Sequence, residues 1–319
     1  MPLVQSDYNP PLPFKNGHIS TIYSGLLRKV DSLKQQRERL ELEDGDFIDL
    51  DWSFAHTPAN TVVILLHGLE GHAQRPYITG SAKYFNAGGL DSCAVNFRGC
   101  SGETNRLFRS YHSGATEDLE AVIQHIISSG KYNSIFIKGF SLGGNLTLKY
   151  LGGGNVASQI KGAVTVSVPC SLYDSLIQLL KLKNTLYARR FKKHLVDKLH
   201  LKRQKFPELI SEEDINNIRN LKDFDDIYTS RAHGFKDALD YYGQCSSLQV
   251  LPGIKTPTLI INAKDDSFLG KACYPVKEAE HNPHLFLDMP KYGGHVGFFD
   301  AHNISYSEKI GLNFIKEFI

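Results

Sequence analysis

Six short apolar runs constrain this chain more than any other feature. They cover residues 61–66, 92–97, 134–138, 163–168, 258–262 and 284–287, and each is bounded by glycine, proline or polar turn residues. Runs this short and rich in β-branched residues predict strands buried on both faces, as in a parallel sheet. Between and after them, residues 115–128, 144–151 and 305–318 carry apolar positions at helical spacing. Strands alternating with helices predict a mostly parallel α/β sheet flanked by helices. A hairpin is expected over 41–54, around Asp44-Gly45-Asp46, and a short amphipathic stretch over 19–27. From 171 to 248 no strand pattern appears, only helical and polar sequence, which predicts a helical cap inserted into one domain spanning 1–319.

Composition removes several function classes. Lys plus Arg number 36 against 34 Asp plus Glu, a net charge of +2, which gives no basis for nucleic-acid binding. The five cysteines, Cys93, Cys100, Cys170, Cys245 and Cys273, are odd in number and form no CxxC pair, so neither a disulfide framework nor a zinc ribbon is indicated. No metal or other cofactor is expected: there is no HExxH, and the histidines lack ligand spacing. The polar start Met1-Pro2-Leu3-Val4-Gln5-Ser6-Asp7 does not read as a signal peptide, and a cytoplasmic location is the expectation. Nothing in the sequence sets the oligomeric state.

Chemistry centres on Gly139-Phe140-Ser141-Leu142-Gly143-Gly144, a GxSxG between an apolar run and a helical one. A sharp strand-to-helix turn needs small residues around the serine and lifts its hydroxyl above the sheet, at the positive end of the helix. Such a serine needs a base, and the base an orienting carboxylate, in the chain order Ser, acid, His. Of 13 histidines, His295 in Gly293-Gly294-His295-Val296-Gly297 follows the last strand; His281 and His284 come too early, and His302 leads into the final helix. Asp265 and Asp266 both follow the run at 258–262, and alternation does not choose between them. The backbone N–H groups of Leu142 and of Leu69, in Leu66-His67-Gly68-Leu69-Glu70-Gly71, are the candidate oxyanion donors. His67 and Arg98 are expected to brace the site.

Between residues 181 and 205 lie ten cations and one acid, Asp197, with apolar Leu176, Leu180, Tyr187, Phe191, Leu195 and Leu199 mostly four apart. This predicts a helix with its apolar face over the pocket and its cations fanned outward. A sharper expectation is that the basic cap rests on an anionic membrane surface.

Taken together, these stretches resemble the YheT-type α/β-hydrolases, relatives of the abhydrolase-domain lipases and of plant embryogenesis-associated proteins. The likeness also covers Gly17-His18-Ile19-Ser20-Thr21-Ile22 and Asp44-Gly45-Asp46-Phe47-Ile48-Asp49-Leu50-Asp51-Trp52. It implies an α/β-hydrolase fold and a serine carboxylic-ester hydrolase acting on small-molecule or lipid esters, short- to medium-chain acyl esters or acylglycerols. Laying Asn262-Ala263-Lys264-Asp265-Asp266 on the strand ending usual in related enzymes makes Asp266 the triad acid, giving Ser141, Asp266 and His295. Ser267 stands where many relatives carry proline, which predicts a looser turn. The alternative is a non-catalytic ligand- or partner-binding protein on the same fold.

Overall fold

The computed structural model describes residues 3–319; Met1 and Pro2, which open the polar leader, lie outside it. Nine strands form one sheet: β1 (Leu3–Val4), β2 (Gln36–Glu41), β3 (Phe47–Ser53), β4 (Thr61–Leu66), β5 (Asp91–Asn96), β6 (Ser134–Phe140), β7 (Ile160–Val166), β8 (Thr258–Ile261) and β9 (Leu285–Asp288), in the order 1-9-8-7-6-4-5-3-2. Only β3 runs against its neighbours, β2 and β5; all other pairs are parallel. Every residue of β4 is buried, as a central parallel strand covered on both faces requires. The helices are α1 (Gly17–Ile22), α2 (Pro76–Ala87), α3 (Thr116–Ser128), α4 (Leu142–Gly152), α5 (Leu172–Leu179), α6 (Thr185–Lys205), α7 (Glu212–Asn216), α8 (Leu221–Phe224), α9 (Ser230–His233), α10 (Ala238–Cys245), α11 (Val276–His281) and α12 (Tyr306–Lys316). Two apolar cores separate the layers. Leu119, Val122 and Ile126 of α3 pack with Leu146 of α4 on one side, and Ile78 and Phe85 of α2 with Leu312 and Ile315 of α12 on the other.

Several boundaries differ from those read in the sequence, each for a local reason. The strand predicted at 134–138 continues to Phe140, because Gly139 and Phe140 stay paired with Thr165 and Val166 and carry β6 to the serine. The strand predicted at 163–168 stops at Val166, where Ser167 takes φ 54° and leaves the ladder. The hairpin closes through Gly45 at φ 83°, a conformation suited to glycine. The stretch 19–27 is α1 followed by a single π turn, Tyr23–Leu27. Among the described residues no strand lies between β7 and β8. Instead α5 to α10 gather round a third core containing Leu176, Leu195, Leu199, Ile215, Phe224 and Tyr241. No helix of the described residues is long and apolar enough to cross a membrane.

Candidate active site

Two glycines let the chain turn from β6 into α4. A Cβ on Gly139 would stand 2.3 Å from the Gly143 carbonyl oxygen, and one on Gly143 would stand 2.6 Å from that of His67. Both are closer than a real Cβ approaches, so the GxSxG pattern is a packing requirement. Ser141 itself sits at φ 52°, ψ −116°, a strained conformation held by its N–H donating to Val166 O at 2.8 Å. Leu142 is the first residue of α4, so its N–H has no acceptor within the helix.

The serine hydroxyl lies 2.9 Å from His295 Nε2, and His295 Nδ1 lies 2.8 Å from Asp266 Oδ2. Asp266 Oδ1 accepts the Phe268 N–H at 2.9 Å, which fixes the carboxylate. An Nδ1–H directed at Asp266 leaves Nε2 as the acceptor for the serine proton. Asp265 is aimed elsewhere. Its Oδ1 accepts the Gly294 N–H at 2.8 Å, while its buried Oδ2 has no hydrogen-bond partner among the described residues. Burial pushes the Asp265 carboxyl pKa upward. The structure thus brings Ser141, Asp266 and His295 together and turns Asp265 toward the backbone of the histidine loop.

The loop after β4 passes over the serine, and Gly68 makes the approach feasible: a Cβ there would be 3.1 Å from Ser141 Cβ. Its amides are divided. Gly68 N–H donates to Tyr77 Oη at 3.4 Å and Glu70 N–H to Tyr111 Oη at 2.9 Å. Between them the Leu69 N–H carries no hydrogen bond among the described residues. His67 is buried below, its Nδ1 2.8 Å from Gly68 O and its Nε2 accepting the Phe97 N–H at 3.2 Å. Burial lowers its pKa to about 3, so it is a neutral brace. Arg98 braces from the next loop, paired with Asp118 at 2.6 Å, Asp44 at 2.8 Å and Asp46 at 3.1 Å.

Three supports carry no assignment from the sequence. Thr21 Oγ1 accepts the His295 N–H at 2.8 Å and donates to Gly17 O at 2.7 Å, so α1 clamps the histidine loop. The fit is tight: a Cβ on Gly294 would be 2.1 Å from Gly17 O, and one on Gly17 would be 2.5 Å from Asp265 O. Ser167 Oγ accepts the Val296 N–H at 2.9 Å. Asn184 donates to Ser267 O and accepts from Ser267 Oγ, each at 2.7 Å. The turn after Asp266, expected to be loose for want of proline, is therefore pinned to the helical segment. The signal for α1 is present in the Gly17–Ile22 stretch, but the sequence carries no sign of what it touches.

Two cavities meet at Ser141. The larger holds about 1270 Å³ counted to its open mouth and runs beneath the helical segment, with Leu142, Leu172, Leu176, Phe191, Leu195 and Phe268 along its wall. The smaller, about 740 Å³, opens between α1 and α6. The helix α6 does not carry all its cations outward as expected. Lys198 reaches Glu70 at 3.0 Å, and Lys202 is buried, donating to Asn105 Oδ1 at 2.6 Å and to Leu107 O. Burial brings the Lys202 pKa down to about 8. Of the acidic run 208–226, one carboxylate pairs with those ten cations among the described residues, Glu212 with Arg203 at 2.9 Å. No cluster of His, Cys, Asp and Glu suited to a metal occurs among the described residues.

Known proteins resemble this chain in sequence and in fold. The family described as serine aminopeptidase S33 matches residues 57–272. YheT of Escherichia coli K12 is 35% identical over 299 residues, covering 92% of this chain and 87% of that protein. Human phospholipase ABHD3 is 27% identical, covering 100% and 80% respectively. Among solved structures, the Pyrococcus furiosus esterase Pf2001 superposes with a TM-score of 0.59 at 16% identity, over 97% of this chain and 99% of that one, a likeness of fold. The match over residues 57–272 and the likeness to YheT along nearly the whole chain settle its kinship: it belongs to the YheT-type α/β-hydrolases, in the esterase and lipase class of serine hydrolases.

Proposed function

We propose that this protein is a serine carboxylic-ester hydrolase for short- to medium-chain acyl esters or acylglycerols, with Ser141, His295 and Asp266 as its triad. The single observation that carries the reading is the unbroken relay from Asp266 through His295 to Ser141, at the junction of two cavities. His295 takes the Ser141 proton as the hydroxyl attacks the ester carbonyl, and Asp266 stabilises the resulting imidazolium. The N–H groups of Leu69 and Leu142 receive the tetrahedral oxyanion. His295 then returns the proton to the leaving alcohol, and water, deprotonated by the same imidazole, releases the acid from the acyl-enzyme.

In this reading the segment 171–248 is a cap, and the larger cavity under it takes the acyl chain. The apolar wall of that cavity, with Leu172, Leu176, Leu195 and Phe268, suits a flexible acyl chain. A fluorophosphonate probe tests the mechanism against the non-catalytic alternative. Labelling at Ser141, with hydrolysis of p-nitrophenyl esters lost by about 10⁴-fold in Ser141→Ala, is the expected result. An unlabelled Ser141 in folded protein, or a tenth of the activity left in the variant, would overturn it.

A membrane contact belongs to the same reading. Leu182 and Leu186 are 93% and 80% exposed beside Lys181, Lys183 and Arg189, an apolar and cationic edge that complements an anionic bilayer. Each cation near such a surface contributes about 1 kcal/mol. Co-sedimentation with anionic but not neutral vesicles, weakening with salt, is expected; equal and negligible binding to both removes the idea. The five buried free cysteines suit a reducing, cytoplasmic setting.

A further inference from the structure

The smaller cavity has a chemistry of its own. Beside Ser141 and Leu69 its wall carries Arg75, Arg190 and His194. Two other enclosed arginines of the fold face carboxylates: Arg28 forks onto Glu308 at 2.6 and 2.9 Å, and Arg98 holds three aspartates. Arg190 is half-buried and has no hydrogen bond or ion pair among the described residues. Among the described residues the Arg75 guanidinium donates only to the Glu70 carbonyl oxygen, at 3.0 Å. The nearby Glu70 carboxylate compensates them only in part: its charge favours a protonated His194, but its Oε1 already accepts from Tyr111 Oη at 2.7 Å and Lys198 Nζ at 3.0 Å.

These groups repel one another. Burial first, then the Arg75 charge, lowers the Arg190 pKa; burial, then Arg190, lowers that of His194. Partly desolvated cations without a counter-charge are unfavourable, and an incoming anion relieves that cost. The groups come from two sides, Arg75 from the chain before α2 and Arg190 and His194 from one face of α6, where they stand a turn apart. A tetrahedral oxyanion offers acceptors in several directions, whereas a planar carboxylate is suited to a single guanidinium fork.

We propose that Arg190, with Arg75 and His194, forms an anion-recognition site for the alcohol half of the substrate, which carries a phosphate-class group. The proposal rests on the ester-hydrolase reading of Ser141: with the acyl chain in the larger cavity, the alcohol lies in the smaller one. The acyl C–O bond breaks, the alcohol oxygen takes its proton from His295, and the phosphate-bearing alcohol leaves as water completes the acid.

The test compares 1-octanoylglycerol with 1-octanoylglycerol 3-phosphate at fixed salt, so that the acyl half is constant. The wild type is expected to favour the phosphate ester in kcat/KM. Arg190→Gln lowers that preference by about 10- to 100-fold, chiefly through KM, as loss of a charged hydrogen bond predicts. Arg190→Glu lowers it further, and Arg190→Lys restores part of it. Equal loss on both esters, or no wild-type preference, overturns the proposal.

Binding separates this site from catalysis. Glycerol 3-phosphate is expected to bind Ser141→Ala protein in calorimetry and to lose that binding when Arg190→Gln is added. It should bind more tightly than inorganic phosphate; equal binding would overturn the assignment to the alcohol half. Failure of wild type to turn over either ester, with glycerol 3-phosphate still bound, would defeat the hydrolase reading and leave the anion site standing.

Discussion

Two adjacent carboxylates show how much one atom's direction decides. Asp266 faces the His295 ring, while Asp265 holds the Gly294 N–H. Asp266→Asn is therefore expected to lower kcat by about 10⁴-fold, since an amide favours the wrong imidazole tautomer. Asp265→Asn keeps an oxygen for Gly294 and should cost far less; the reverse ranking in steady-state kinetics would move the acid to Asp265. Ser141 and His295 are legible from sequence because each sits in a small-residue turn at a fixed place after a strand. Composition and spacing alone leave the two aspartates open, because neighbouring residues in a turn have no periodicity to separate them. Ser267 marks the same limit: it reads as a missing proline, and its meaning depends on Asn184, 83 residues away.

At the scale of elements, the strands are legible and their ends less so. Burial on both faces writes β4 into the sequence as an apolar run, whereas the end of β7 is set by the backbone of Ser167. The short α1 reads as an amphipathic stretch, yet its inner side serves the histidine loop through Thr21. Thr21→Val keeps the shape and removes the acceptor for the His295 N–H. A fall of about 10- to 100-fold in kcat is expected, as displacement of a reacting group predicts, with the circular dichroism spectrum unchanged. Wild-type kcat in a folded variant would show that α1 does not position His295. The helix α6 is legible as amphipathic, but not the inward reach of Lys198 and Lys202, because long side chains escape a simple division into faces.

Across the whole molecule, α12 and α2 are joined to the central sheet by a buried lysine. Lys138 on β6 is fully buried, donating to Ser307 O at 2.8 Å and Ser81 Oγ at 3.1 Å. Burial lowers its pKa to about 7, below the ordinary lysine value of 10.5. Above pH 7 the unfolded chain binds this proton and the folded chain releases it, so Lys138 makes stability rise with pH from about 7 toward 10. Below pH 7 both states are protonated, and the folded state bears the cost of a buried charge. Melting temperatures of wild type and Lys138→Met are expected to converge as pH rises from 7 to 9; a constant gap would contradict this titration.

The clamp between α1 and the histidine loop also sets when such a chain becomes competent during its synthesis. Thr21 and His295 are 274 residues apart. At a ribosomal rate of ~5–20 residues per second, the imidazole is added about 14–55 s after the hydroxyl that receives its amide. Ser141 precedes His295 by 154 residues, so for about 8–31 s at the same rate the nascent polypeptide carries this serine without its proposed base. In the proposed mechanism a ribosome-bound intermediate is therefore chemically quiet, and hydrolytic power switches on only when the histidine loop docks on a helix made long before it.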